Sequence, residues 1–538
     1  MTFLAGAKQT PLVREMTPRL FGVFFFMSIG AVNFGFDNAW WNCVLPLSQF
    51  IEYYGPPGAT ALPATWQSAG SGIGTGGMVI GCCIGSAIGK KIGRKWTIVV
   101  LVCIAIVGMV IQNAIHSFWA VIVGRMINSI SMGIEANVIP TFMGELAPPA
   151  IRGSLVNFYQ WWQMIGVLIS TGLVYACSNI YADQWAFRVV MIVQFFIPLI
   201  LLVMVYFMPE SPRWLLMHRR REDAFKAMKF IRHGSSATDA DLNGELDLIM
   251  LSIEEQEENH HATTYADCFK GSNGRRTMIA ACCQVAQQLQ GNSFASSYGV
   301  LFLKQLGIPN ALQAQTAKVA CALLGATIAF YAADRFGRRP LMMICAVGMW
   351  VTMWTASGIS SFWPGELSEG PAASVALACM LLWTLFGTLG WGSCNWMTTA
   401  EIGTNQLREK TVGIATTSSF LIVLLVSFIN PFVQSEPGNL QQRVGFVYGS
   451  FSVIAVVFVF FFVPELKGRS LEELDEMFQA GVPARKFRDY RTEGIGARIT
   501  ALQDGAHIDT KVVDAVEVVS IKDRDVDATT QQPKTVDV

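Results

Sequence analysis

Apolar residues lie along the chain in long unbroken runs, approximately 20–45, 68–88, 96–116, 118–140, 155–177, 185–208, 278–298, 317–333, 341–360, 373–398, 412–433 and 444–463. A helix needs about 20 residues, at about 1.5 Å rise each, to cross a bilayer, and each run is close to that length. Only helices satisfy so much backbone inside lipid, so the pattern predicts twelve spanning helices in an all-α membrane protein. Three polar stretches remain outside: 1–17, 209–274 and 465–538. Within the middle stretch, Phe225, Met228, Lys229 and Ile231 recur at helical spacing, as do Leu242, Leu246, Ile249, Met250 and Ile253. These amphipathic segments predict a small helical domain packed under the bundles. Beyond about residue 477 the tail is rich in Asp, Val, Thr and Lys with no sustained period, the pattern of a disordered segment.

Composition sharpens this picture. The 538 residues are 52% hydrophobic and only 14% charged, against about 25% charged in soluble domains, which excludes a soluble enzyme. The 39 basic and 39 acidic residues cancel, so nothing points to nucleic acid. The local distribution is informative: Lys90, Lys91, Arg94 and Lys95 follow the second run and Arg335, Arg338 and Arg339 the eighth, whereas 48–67 and 361–371 contain acidic residues and no Lys or Arg. The positive-inside bias makes the even-numbered loops, and with them both termini, cytoplasmic. The first run is long, internal and without a cleavage site, so it reads as a span rather than a signal peptide. Almost all of the twelve cysteines lie inside apolar runs and none forms a C-x-x-C pair. They read as small buried hydrophobes, with no metal, haem, disulfide framework or other cofactor indicated.

The two halves share their punctuation. Gly93-Arg94-Lys95 is matched by Gly337-Arg338-Arg339, Glu145 with Arg152 by Glu401 with Arg408, and Pro209-Glu210 by Pro464-Glu465, at offsets of 244, 256 and 255 residues. Such a parallel repeat predicts two six-helix bundles, 18–208 and 275–464, around a midplane cavity, joined by the linker domain 209–274. The matched charges Arg94, Glu145, Arg152, Glu210, Arg338, Glu401, Arg408 and Glu465 are expected to form a cytoplasmic gate that holds the bundles together when that side is closed.

Several longer matches accompany the repeat: Gly124-Arg125, Pro140, Glu145-Leu146-Ala147-Pro148 through Ile151-Arg152-Gly153, Pro209-Glu210-Ser211-Pro212-Arg213-Trp214-Leu215, Gln287-Gln288, Asp334-Arg335-Phe336-Gly337-Arg338-Arg339, and Pro464-Glu465-Leu466-Lys467-Gly468-Arg469. On these the chain resembles the sugar porter family of the major facilitator superfamily over roughly 17–478, and its fungal members in particular. The resemblance implies a major facilitator fold and sugar uptake by alternating access.

From spacing alone, Gln284, Gln287, Gln288, Gly291 and Tyr298 share one polar face of the seventh helix. Amides donate and accept, which suits a hydroxyl-rich ligand; hydrogen bonding between helices would use the same face. The resemblance implies that Gln287 and Gln288 bind sugar, with Gln160 on the fifth helix and Trp396 on the tenth, whose indole can stack on a pyranose. Ser293 occupies the place where family members often carry Asn, Lys90 stands where an Asp is usual, and Gly390-Trp391-Gly392-Ser393 replaces a Gly-Pro hinge. Asp37 and Arg125 lie at similar depth inside apolar runs, where a lone charge costs about 2.5 to 3.5 kcal/mol. They read either as a static ion pair or as a proton-coupling pair. Glu135, on the helix of Arg125, has no family counterpart. The expectation is a monomeric plasma-membrane proton symporter for a monosaccharide. A uniporter of the same fold and a non-transporting sugar sensor signalling through the tail are the alternatives.

Overall fold

The computed structural model describes residues 17–59, 61–146, 152–233, 238–262, 264–308, 310–362, 371–404, 406–435, 437–467, 469, 471–488 and 490. In chain order its helices are α1 (Pro18–Val44), α2 (Ser48–Tyr54), α3 (Ala64–Ile92), α4 (Arg94–Ala114), α5 (Phe118–Leu146), α6 (Arg152–Ile180), α7 (Trp185–Val193), α8 (Phe196–Val205), α9 (Pro212–Met217), α10 (Arg221–Ile231), α11 (Asp239–Ala262), α12 (Gly271–Gln287), α13 (Ser293–Gln305), α14 (Ala311–Phe336), α15 (Arg338–Phe362), α16 (Pro371–Phe386), α17 (Ser393–Glu401), α18 (Arg408–Gln434), α19 (Val444–Phe462) and α20 (Leu471–Gln479). Every apolar run is mainly helical, that of 185–208 being broken by a turn at Gln194 and Phe195 between α7 and α8. Among the described residues, nine helical segments are long and apolar enough to cross a membrane by length and composition. The runs that fall short are those of α5, α12 with α13, and α14. These helices carry Arg125, Asn128 and Glu135, the glutamine face, and Gln315 with Lys318. Polar residues that a lipid-facing helix would not tolerate lower their apolarity.

Local chemistry sets the helix ends. Thr17 accepts from the Leu20 amide (3.2 Å) ahead of Pro18, and Ser211 accepts from the Trp214 amide (3.2 Å) ahead of Pro212, each a side-chain cap followed by proline. Gly93 and Gly337 take φ of +93° and +91° between paired helices. A Cβ there would strike the carboxylates of Glu210 and Glu465 respectively, so the repeated Gly-Arg motif is a backbone cradle for a carboxylate. The end of the molecule holding both cradles, with Lys90, Lys91, Lys95, Arg335 and Arg339, is termed the basic face below.

Close helix crossings build the N-terminal half. A Cβ on Gly81 would lie 2.1 Å from the Ile130 carbonyl oxygen, and one on Gly133 2.1 Å from that of Met78, so α3 and α5 touch backbone to backbone. The predicted amphipathic segments form their own cluster, in which Trp214, Leu215, Met228, Leu242, Leu246 and Ile253 are buried. The Thr17 hydroxyl donates to the Ile231 carbonyl (3.3 Å), tying that cluster to the start of α1. The tail beyond about residue 477, expected to be disordered, is instead structured over 478–488, where Phe478, Val482 and Phe487 are buried against the C-terminal half because these apolar side chains have a core to join; from 491 onward it lies outside the described residues.

Candidate functional site: a central cavity and a buried carboxylate pair

A cavity of about 420 Å³ lies between the halves, within the size range of small-ligand sites. Its wall is built by parts of α1, α3, α5, α6, α14, α17 and α18, and includes Asn137, Gln160, Gln163, Thr388, Ser393 and Trp396. Gln160 is exposed to it, and 37% of the Trp396 surface is accessible. An exposed indole opposite side-chain amides offers a stacking surface and polar groups of both signs.

Two helices break their regular winding beside this cavity. Residues Gln288–Asn292 form a π-helical turn in which Gly291 has φ +109°, and Gly387–Gly392 form a second one before α17. The glycine-rich run on the tenth span thus gives a π-turn in place of a proline hinge, a local unwinding common at functional sites. Gln288, Gln287 and Ser293 are buried behind the wall. Gln288 donates to Ser419 Oγ (3.0 Å) and accepts from Ser293 Oγ (2.8 Å) and Asn292 Nδ2 (3.3 Å). Gln287 donates to the Trp391 carbonyl (3.1 Å) and accepts from Asn395 (2.9 Å), while Gln284 donates to Thr399 (3.1 Å). In this arrangement the glutamine face cross-links helices; of the residues expected to bind sugar, Gln160 and Trp396 line the cavity.

Away from the basic face the halves are sealed against each other. Asn42 Oδ1 accepts from the Val300 amide (3.2 Å) and its Nδ2 donates to the Ala295 carbonyl (3.4 Å). Ser68 donates to the Phe428 carbonyl (2.8 Å), Thr75 to Ser427 (3.3 Å), and the Tyr298 hydroxyl reaches the carbonyls of Ser427 (2.7 Å) and Gln67 (3.4 Å).

Asp37 is buried, and Asn128 donates to its Oδ2 (3.2 Å) while Oδ1 has no hydrogen-bond partner. No ion pair joins it to Arg125, so a static ion pair is not what this arrangement holds. The Arg125 guanidinium instead lies over the rings of Trp41 (4.7 Å) and Trp40 (5.7 Å), with its Nε unpartnered. Glu135 is fully buried: Asn33 donates to Oε2 (2.9 Å) and Oε1 is unpartnered.

At the basic face, Arg94 meets Glu145 with two hydrogen bonds (2.7 and 3.1 Å), and Arg338 meets Glu401 (3.2 Å). Glu210 accepts from the amides of Arg94 (2.9 Å) and Lys95, and Glu465 from those of Arg338 (3.0 Å) and Arg339 (3.1 Å). Burial pushes the Glu210 carboxyl above the ordinary range, partly offset by the Ser211, Lys95 and Arg94 amides. Arg408 donates to the Ala400 carbonyl (2.7 Å). The Arg152 side chain lies outside the described residues. Each of these contacts stays within one half and braces its own bundle.

Sequence reasoning missed Lys318, buried on α14 with its ammonium unpartnered and about 6.0 Å from the Trp383 ring centroid. A lysine inside an apolar span was the available signal. It also missed Asn42, whose role rests on contacts more than 250 residues away.

Two repeated helical halves around a central cavity define a major facilitator, a multi-pass membrane transporter. The chain belongs to the sugar transporter family: the family model described as "Sugar (and other) transporter" matches residues 23–478. Members of this family are transporters, not enzymes. The chain is 27% identical over 509 residues to the major facilitator-type transporter ecdD of Aspergillus rugulosus, covering 90% of this chain and 92% of that one. It is 26% identical to the high-affinity glucose transporter of Kluyveromyces lactis, covering 88% of each. The fold is similar to the inward open conformation of the xylose transporter XylE from E. coli, with TM-score 0.70, 24% identity, and coverage of 85% of this chain and 99% of that one.

Proposed function

We propose that this protein is a monomeric plasma-membrane symporter that moves a monosaccharide inward with a proton by alternating access. Its termini and basic face are cytoplasmic, so the arrangement described is the inward-facing one. The observation that carries the reading is Asp37: a buried carboxyl with one open oxygen, amide-bonded on the other, and beside an arginine that is not paired to it. A carboxyl so held can take and lose a proton without dismantling its surroundings.

Sugar is held between Trp396, Gln160 and the Gln287, Gln288 and Ser293 group. When the outer side opens, the π-turn at Gly291 lets the adjoining helix swing, and the glutamine amides exchange their bonds to Ser419 and Asn395 for sugar hydroxyls. Protonation of Asp37 withdraws its charge from Arg125, and the freed guanidinium biases the closing of the outer seam. The basic-face residues Arg94, Glu145, Arg152, Glu210, Arg338, Glu401, Arg408 and Glu465 act as the cytoplasmic gate, re-pairing between halves when that side closes. The bodies that move are the bundles 18–208 and 275–464, with 209–274 beneath them. Similarity to the Kluyveromyces lactis glucose transporter supports a sugar as substrate.

Labelled hexoses offered to purified protein in liposomes, with and without an inward proton gradient, test the reading. Gradient-driven accumulation supports symport. Downhill uptake indifferent to the gradient assigns a uniporter, and sugar binding without any uptake assigns a sensor.

A further inference from the structure

We propose that Glu135 is a second proton-binding carboxylate of the transport cycle, taking the proton that Asp37 releases and passing it to the cytoplasmic cavity. This rests on the symport reading and adds the exit route.

The two carboxylates are held in a crossed arrangement at the contact of α1 with α5. Asn128 of α5 donates to Asp37 of α1, and Asn33 of α1 donates to Glu135 of α5. Each carboxylate therefore has one oxygen bonded to an amide from the opposite helix, and each keeps its other oxygen, Oδ1 or Oε1, unpartnered. A proton can sit on the open oxygen while the amide bond stays intact. Four residues of α1 separate Asn33 from Asp37 and seven of α5 separate Asn128 from Glu135, so Glu135 is nearer the basic face by about 6 to 10 Å at helical rise. Ordinary helix packing gives no reason for a second buried carboxyl with an open oxygen on this path.

The residues around Glu135 lead to the cavity. Phe34 follows Asn33, Ala136 follows Glu135, and both line the cavity with Cys82, Asn137 and Tyr159. Tyr159 of α6 and Cys82 of α3 are the other titratable side chains on this part of the cavity wall, and the Tyr159 hydroxyl is unpartnered and buried. Asp37 is the nearby carboxylate, on α1, and Arg125 is the cation on the same helix. The other charged residues on these helices, Arg19, Lys90, Lys91, Arg94, Lys95, Glu145 and Arg152, belong to the helix ends at the basic face, Glu145 about 15 Å further along α5. In the first step the Asp37 carboxylic acid gives its proton to a water, and that water gives one to the Glu135 carboxylate. In the second, the Glu135 acid gives the proton to water in the cavity, and each carboxylate ends ionised.

The test compares wild type, Glu135→Gln and Glu135→Asp in liposomes for three quantities: sugar-driven proton entry, net sugar accumulation, and sugar exchange at equal pH. Expected for Glu135→Gln is exchange close to wild type with proton entry and accumulation reduced by about a hundredfold, the scale of a lost proton-transfer group; Glu135→Asp recovers part of both. Wild-type proton entry and accumulation in Glu135→Gln overturn the proposal while leaving symport standing. Absence of proton entry in the wild type overturns the symport reading itself, and the proposal with it. If Glu135→Gln does not insert, infrared titration of wild type and Glu135→Asp decides. A protonated-carboxyl band that shifts in Glu135→Asp supports the proposal, and its absence overturns it.

Discussion

Replacing Asn42 by alanine removes a side chain that bonds the two halves at the seam sealed away from the basic face, the outer one in the proposed orientation. Its Oδ1 takes the Val300 amide at 3.2 Å and its Nδ2 reaches the Ala295 carbonyl at 3.4 Å. Val300 lies just past Tyr298, whose φ of −134° interrupts α13, so its amide looks outside the helix for an acceptor. Neutral hydrogen bonds contribute about 0.5 to 1.5 kcal/mol net each, and the second is long, so the loss is about 1 to 2 kcal/mol. When the outer side is open, water satisfies the same groups, so the loss falls on the inward-facing arrangement alone. The outward-open population therefore rises about five- to thirtyfold relative to the inward-facing one. Labelling of the neighbouring Cys43, buried here, by an impermeant maleimide added outside reads that population, with peptide mass spectrometry separating it from the other cysteines. Cys345, buried inside the C-terminal half, serves as the unaffected reference. Equal Cys43 labelling in Asn42→Ala and wild type would refute the reasoning, because the seam would then owe nothing to this amide.

Gln288→Ala is expected to weaken sugar binding by about 1 to 3 kcal/mol with normal membrane insertion; unchanged affinity by calorimetry leaves Gln288 as a link between helices only. Trp396→Ala should weaken binding by about 0.5 to 1.5 kcal/mol beyond its lost contact area, through the missing stacking face, and Trp396→Phe should recover part of it. Because the folded-state pKa of Glu210 is raised, its contribution to stability is present below the ordinary carboxylate range and is lost as pH rises through the raised value. Thermal unfolding in detergent should show that loss on moving from acid toward neutral pH, and Glu210→Gln should flatten it.

Apolar runs announced the helices plainly, because lipid leaves a span few other choices. The offset of the Gly-Arg motifs announced the repeat, and at Gly93 and Gly337 it has a clear physical basis in the two carboxylate cradles. Partner choice was less legible. Glu145 and Glu401 were readable as matched charges, yet sequence carries no mark that each pairs within its own half here, with Arg94 and Arg338. The glutamine face was visible as a 3.6-residue period, but its burial behind Trp391 and Ser419 was not, because those partners come from other helices. The π-turns at Gly291 and Gly387–Gly392 were foreshadowed only as glycines. Asn42 follows Asn33, Asp37 and Asn38 on α1 and Lys318 follows Gln315 on α14, but their spacing does not reveal what either faces.

Sugar-dependent proton movement in wild type and Asp37→Asn, measured on the same liposomes, tests the central claim most directly. The account predicts that wild type alkalinises the outside when sugar is added. Asp37→Asn, fixed in a neutral form, should bind sugar and exchange it but neither move protons nor accumulate sugar against a gradient. Sugar uptake by wild type without proton flux, together with wild-type exchange by Asp37→Asn, would contradict it and make Asp37 a structural residue of a facilitator.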